Sequence, residues 1–349
     1  MRTTRQLWDA IRPLTGQQRF LWWAGTALML SGVVHLGIAA VDGPWAGSVS
    51  WRKPALFGES FGLLLWSVAW VLRHLPDRRW GWLPTGIVGS MSVIEVVLIT
   101  VQRWRGVPSH FNAETSGDAA IWSIMGTSVF VLVAGLVVIL LRALFTFRGS
   151  PAARVAVLAG LLLVLAGGAV GGSMASVGEE VVATTGHVPE ELVFGAAGSA
   201  KVAHALGIHA LQVLGLLAIG LELSGRRGLR TVLLGTAGYT ALFAAVTVTA
   251  YAGEPWISPT PAMGLLGGVG ALALLAAAAQ VANGLRAPAP AGPGAPAGPG
   301  GPAQAGSPAQ AGGPAQAGGP AQAGSPAQAG SPAAPDYAAG TAVRRAPRP

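Results

Sequence analysis

The residues that could do chemistry stand out because they interrupt apolar sequence. Lys201-Val-Ala-His204-Ala-Leu-Gly-Ile-His209-Ala-Leu-Gln212 places a lysine, two histidines and an amide at the start of an apolar run. At about 100° per residue these four span an arc of about 140°, one wide helix face. Two further runs carry isolated carboxyls, Glu59 and Glu95, and the first carries His35. The segment Gln102-Arg-Trp-Arg-Gly-Val-Pro-Ser-His-Phe-Asn112 gathers Ser109, His110 and Asn112 beside two arginines, and Arg52-Lys53 opens the run that holds Glu59. Candidate catalytic residues are therefore Glu59, Glu95, His110, Asn112, His204 and His209. Candidate substrate-binding groups are Arg52, Lys53, Ser109, Lys201 and Gln212. If a metal or haem is present, His35, His204 and His209 are its candidate ligands. His204 and His209 cannot be the two axial ligands of one haem, so a bis-histidine site would need His35 from another helix. An ionisable group at mid-bilayer costs about 2.5–3.5 kcal/mol on insertion scales, so such residues should meet one another or water.

The elements that must position them are membrane helices. Of 349 residues 52% are hydrophobic and only 10% charged, against about 25% charged in a soluble domain. Eight apolar runs, 20–40, 54–72, 82–101, 119–141, 155–174, 201–223, 229–250 and 261–282, are each long enough to cross about 30 Å of hydrocarbon. The fold class expected is an all-α polytopic membrane bundle over 20–286, with a cytoplasmic segment at 1–19. A cleaved leader is not expected, because a basic segment precedes the first run and seven more follow. The fifth and eighth runs are rich in Gly and Ala, which predicts that they pack inside the bundle. Thr115-Ser-Gly-Asp118 has the spacing of a helix cap, and Pro189-Glu-Glu191 could open a short surface helix. From about 287 the chain becomes rich in Pro, Ala, Gly and Gln, with five copies of [Gly/Ser]-Pro-Ala-Gln-Ala-Gly over 301–330. That composition cannot build a core and predicts a disordered tail.

Cysteine is absent, which excludes disulfides, thiolate metal sites and cysteine nucleophiles. The formal charge of +8 reads as topology rather than nucleic-acid binding, because the basic residues cluster between apolar runs. With the N-terminus in the cytoplasm, seventeen of the 22 Lys and Arg fall inside and five outside: Arg52, Lys53, Arg103, Arg105 and Lys201. The positive-inside rule then predicts a multi-pass cell-membrane protein with both termini cytoplasmic. The polar candidates all fall in the outer half. Trp45, Trp51, Trp104, Trp122 and Trp256 are expected as an outer aromatic belt. The five outer cations run against the charge trend and need another reason, such as an anionic ligand or the carboxyls Glu59 and Glu95.

Arg52-Lys-Pro-Ala-Leu-Phe57, Arg105-Gly-Val-Pro-Ser-His-Phe-Asn112 and Ala203-His-Ala-Leu-Gly-Ile-His-Ala-Leu-Gln212 together resemble motifs of a group of bacterial multi-spanning membrane proteins. The resemblance covers roughly residues 20–225 and implies the membrane fold; it carries no activity. The Ala, Gly and Arg content and repeat tail are similar to those of high-GC actinobacterial chains, which makes secondary metabolism the expected setting. The first function the residues suggest is a membrane enzyme acting on a small molecule, either haem- or metal-linked or using Glu and His as acid and base. One metal-free version protonates nitrite, expels water and passes the nitrosating electrophile to an amine. The second is a proton-coupled transporter or sensor using the same groups. P-loop, His-Glu-x-x-His, nucleophile-elbow and dinucleotide signatures are absent from the sequence.

Overall fold

The computed structural model describes residues 2–43, 45–187, 192, 196–225 and 228–286. The repeat tail and Pro189-Glu-Glu191 lie outside these. The described chain is all-α: α1 (Arg2–Ile11), α2 (Gly16–Asp42), α3 (Arg52–Arg73), α4 (Trp82–Trp104), α5 (Ser116–Thr146), α6 (Pro151–Thr185), α7 (Lys201–Ile208), α8 (Ala210–Leu223), α9 (Leu229–Tyr251) and α10 (Pro261–Arg286), with a 3-10 turn at Arg79–Gly81. Among the described residues eight segments are long and apolar enough to cross a membrane, α7 and α8 forming one of them. Phe130, Phe145, Leu265 and Leu272 are among the large side chains left exposed, as a lipid-facing surface requires.

Small residues set how closely neighbouring helices approach. In α2 and α3 a Cβ added at Gly25 would fall 2.8 Å from Gly62 O, and one at Gly58 2.8 Å from Leu28 O. In α9 and α10 a Cβ at Gly270 would fall 2.6 Å from Gly238 O. In α6 and α7 a Cβ at Gly167 would fall 2.7 Å from Gly207 Cα. Without a hydrophobic drive between helices in lipid, such backbone approach supplies the packing. The Gly/Ala expectation holds for α6, which packs against α5, α7, α8 and α9. It fails for α10, which lies at the periphery: one small-residue stripe (Gly270, Ala277, Gly284) faces inward while Leu265, Val269 and Leu272 face out.

Three further features go beyond the apolar runs of the sequence. The N-terminal segment contains α1, and Arg73 donates back to the carbonyls of Asp9 and Arg12. At about 1.5 Å per residue the 35-residue α6 is about 52 Å long, so it overhangs a hydrocarbon core of about 30 Å. The sixth span is not one helix; its hydrogen-bond ladder is interrupted at His209.

Candidate functional site

The end of the bundle opposite the N-terminus holds the polar candidates, and the structure sorts them into separate groups. His35 belongs to an aromatic knot. One ring nitrogen, Nδ1, donates to Ser31 O at 2.7 Å, and Nε2 accepts from Trp104 Nε1 at 3.1 Å. Trp51 stacks on the His35 ring, donates to Asp42 and carries the Arg103 guanidinium 3.8 Å from its ring centre. Trp51 is 3% exposed, so it is core rather than interfacial belt. Both His35 nitrogens are spent, which leaves no lone pair for iron. Among the described residues no three His, Asp or Glu side chains converge in a metal-binding set. The donor set does not fit a bis-histidine haem.

Glu95 is buried between α4 and α5, where its carboxyl accepts from Ser128 Oγ at 3.0 Å rather than meeting a histidine. Glu59 is half-buried on the face of α3 packed against Gly32 of α2. The expected single unit of histidines and both carboxyls is thus divided among helix pairs.

The loop from Arg105 to Thr115 is a built object. Thr115 caps α5, its Oγ1 accepting from Asp118 N at 3.1 Å, as the spacing predicted. Asp118 also accepts from Gln102 (3.0 Å) and Arg105 (2.7 Å). Asn112 is a turn residue: its amide donates to Pro108 O and its carbonyl oxygen accepts from Glu114 N. Phe111 has a left-handed backbone (φ 58°), an uncommon and strained state for an aromatic residue. It drives its ring onto Gly178 of the α6 overhang, where even a Cβ would meet Phe111 Cε1 at 2.5 Å. Trp122 of α5 donates to Glu179 on the same overhang at 2.8 Å. These contacts hold His110 over the start of α3. Its ring lies 5.7 Å from Phe57 and 5.3 Å from Trp122, with Nδ1 2.8 Å from Ser109 Oγ. Burial, then the positive charges of Lys53 and Lys201, push the His110 pKa down to about 3, so the ring is neutral.

Of the five cations at this end, Arg103 rests on Trp51 and Arg105 is paired with Asp118. The other three are Arg52 and Lys53 at the start of α3 and Lys201 at the start of α7. Lys53 is within Coulombic reach of both Arg52 and Lys201. All three are half-buried, and none forms an ion pair with a described residue.

Below them lie the histidines of the sixth span. His204 Nδ1 donates to Gly167 O at 2.7 Å across a groove that Gly171 keeps open. His209, at the helix break, sits with Nε2 3.3 Å from Ser60 Oγ of α3 and in Coulombic reach of His204. Carbonyls at the break are met by side chains. Tyr239 of α9 donates to Leu206 O at 2.7 Å. The Gln212 amide, with its nitrogen turned inward, donates to Ile208 O (3.2 Å) and His209 O (3.0 Å), so Gln212 supports the backbone. Sequence reasoning missed Ser60 and Tyr239, which are ordinary residues in apolar runs. The structure therefore brings together Arg52, Lys53, Lys201 and His110, with Ser60, His204 and His209 on the helices beneath. It sets His35 and Glu95 in other groups.

The chain matches no protein-family model, no curated protein and no solved structure.

Proposed function

We propose that this protein is an integral membrane enzyme that draws a small anionic molecule into the outer half of its bundle and performs metal-free acid–base chemistry on it. The observation that carries the reading is the group of three half-buried cations, Arg52, Lys53 and Lys201, with no described carboxylate as counter-charge. In a low-dielectric site such a group favours an anion. The Ser60–His209 pair supplies a hydroxyl and a base in hydrogen-bond contact, and His204 has Nε2 free to relay a proton. The charge asymmetry of the loops supports an outward-facing site with both termini in the cytoplasm. Nitrite is one anion the site could activate: two protonations and loss of water give a nitrosating electrophile, which an amine attacks with loss of one proton, so that one proton is consumed overall.

A proton-coupled transporter is the second reading, and the helix break at His209 favours it, because interrupted helices mark binding sites in transporters. The test uses the purified full chain in nanodiscs and in proteoliposomes. For the enzyme, no Soret band is expected, nitrite, acetate or phosphate should raise the melting temperature, and Lys53→Met/Lys201→Met should remove that response. His209→Ala should keep the response and lose product formation from nitrite and an amine. Uptake of the unchanged anion into proteoliposomes would replace the enzyme by the transporter. No response to any of the anions would end both.

A further inference from the structure

The same site carries a feature that Ser60 and the histidines do not account for. Two serine hydroxyls at this end are buried and have no partner among the described residues: Ser50, 1% exposed, and Ser199, 5% exposed. A buried hydroxyl without a partner costs about 1–3 kcal/mol, so a native protein retains one where something meets it. Each stands one residue before the N-cap of a helix that opens the site, Ser50 before Trp51 of α3 and Ser199 before Ala200 of α7. Neither helix start has a side-chain cap, whereas α2, α5 and α6 are capped by Thr15, Thr115 and Ser150. Both N-caps are themselves buried, Trp51 at 3% and Ala200 at 6% exposure. A buried, uncapped helix start leaves amide donors and a positive dipole end without a partner. In α3 the Lys53 amide bonds Ser50 O and Pro54 has none, so α3 contributes chiefly its dipole. In α7 the amides of 201–203 bond no described residue and remain as donors.

Resting on the anion-site reading above, we propose that Ser50, Arg52, Lys53, Ser199 and Lys201 form a cradle for a tetrahedral, dianionic oxyanion: a phosphate or the phosphate monoester end of a larger molecule. Three positive charges and two helix dipoles exceed what a carboxylate or nitrite, with one charge and two oxygens, can balance. A phosphate has two charges and oxygens enough to accept from two ammonium groups, a guanidinium and two hydroxyls together. The phosphate can arrive from solution or as the headgroup of a phosphomonoester lipid, and the chemistry of the cradle is the same for both.

The experiment titrates inorganic phosphate, acetate and nitrite at constant ionic strength against the full-length protein in phosphatidylcholine nanodiscs, with melting temperature and calorimetry as readouts. Phosphate should saturate and bind at least tenfold tighter than acetate or nitrite. Ser50→Ala and Ser199→Ala should each weaken phosphate by a few-fold to about tenfold, with acetate affinity changed less. Lys53→Met/Lys201→Met should abolish saturation. Repeating the titration in nanodiscs containing phosphatidic acid separates the sources: competition assigns the cradle to a lipid headgroup, and an unchanged phosphate isotherm assigns it to a soluble phosphate. Lysine-dependent binding of acetate or nitrite as tight as phosphate would overturn the cradle and leave the anion site standing. Wild-type phosphate affinity in the double serine variant, with folding intact by thermal melt, would also overturn it. No saturable binding of any anion would remove both.

Discussion

Tyr239→Phe removes one hydroxyl and tests whether the break at His209 is held in place by design. Tyr239 is 3% exposed, and its hydroxyl donates to Leu206 O just before the break. In soluble proteins, stripping the donor from a buried carbonyl costs about 1–3 kcal/mol. Between membrane helices such bonds average about 0.6 kcal/mol and reach about 1.7, because the chain finds substitute partners. The membrane range applies here, since Leu206 O can recover a helical amide if α7 and α8 rewind. At about 2–4 °C per kcal/mol, the melting temperature should fall by about 1–7 °C. The same rewinding should swing His209 away from Ser60, so amide exchange should slow at Ala210, the residue that would regain a helical acceptor. Thr247→Val is the matched control. Thr247 bonds only its own helix at Phe243 O, and its loss should stay within about 0.5 kcal/mol. A Tyr239→Phe protein that melts with the control and exchanges as wild type between Ala205 and Leu211 would refute the argument.

Three other outcomes follow from the same geometry. His110 has a folded pKa of about 3 against about 6.5 when unfolded, so its contribution to stability is complete above about pH 6.5 and shrinks as pH falls toward 3; thermal melts from pH 7.5 to 4 should show this loss, and His110→Gln should flatten the profile. Gly178→Leu puts a side chain where Phe111 Cε1 and Leu192 already stand; it should displace the loop, weaken anion binding by more than about tenfold and move the melting temperature through an overpacking cost of about 1–3 kcal/mol, and unaltered binding would show that the loop does not shape the site. Because the chain has no cysteine, Ser116→Cys should label with an impermeant maleimide from outside and Asp77→Cys only after permeabilisation; the reverse pattern would invert the topology.

The sequence by itself determined the membrane class, the eight crossings and the end of the bundle where the polar groups gather. These follow from run length, charge content and the spacing of ionisable residues along single helices, which are local quantities. Thr115 as a cap was legible for the same reason, since a cap and its amide lie within four residues. Tertiary structure alone decided which polar groups meet. His35 looked like a ligand until Trp104, sixty-nine residues away, took its second nitrogen. Glu95 looked like a partner of the histidines until the fold set it against Ser128 of α5. Arg103 and Arg105 looked like members of one cationic patch until Trp51 and Asp118 claimed them, which left Arg52, Lys53 and Lys201 as the remainder. The break at His209 was hidden as well, because an apolar run reads the same whether its ladder is whole or interrupted. What fixes the interruption, Tyr239 from α9 and the Gln212 amide, is a matter of approach between helices, and lipid gives sequence periodicity no inside and outside by which to foresee it.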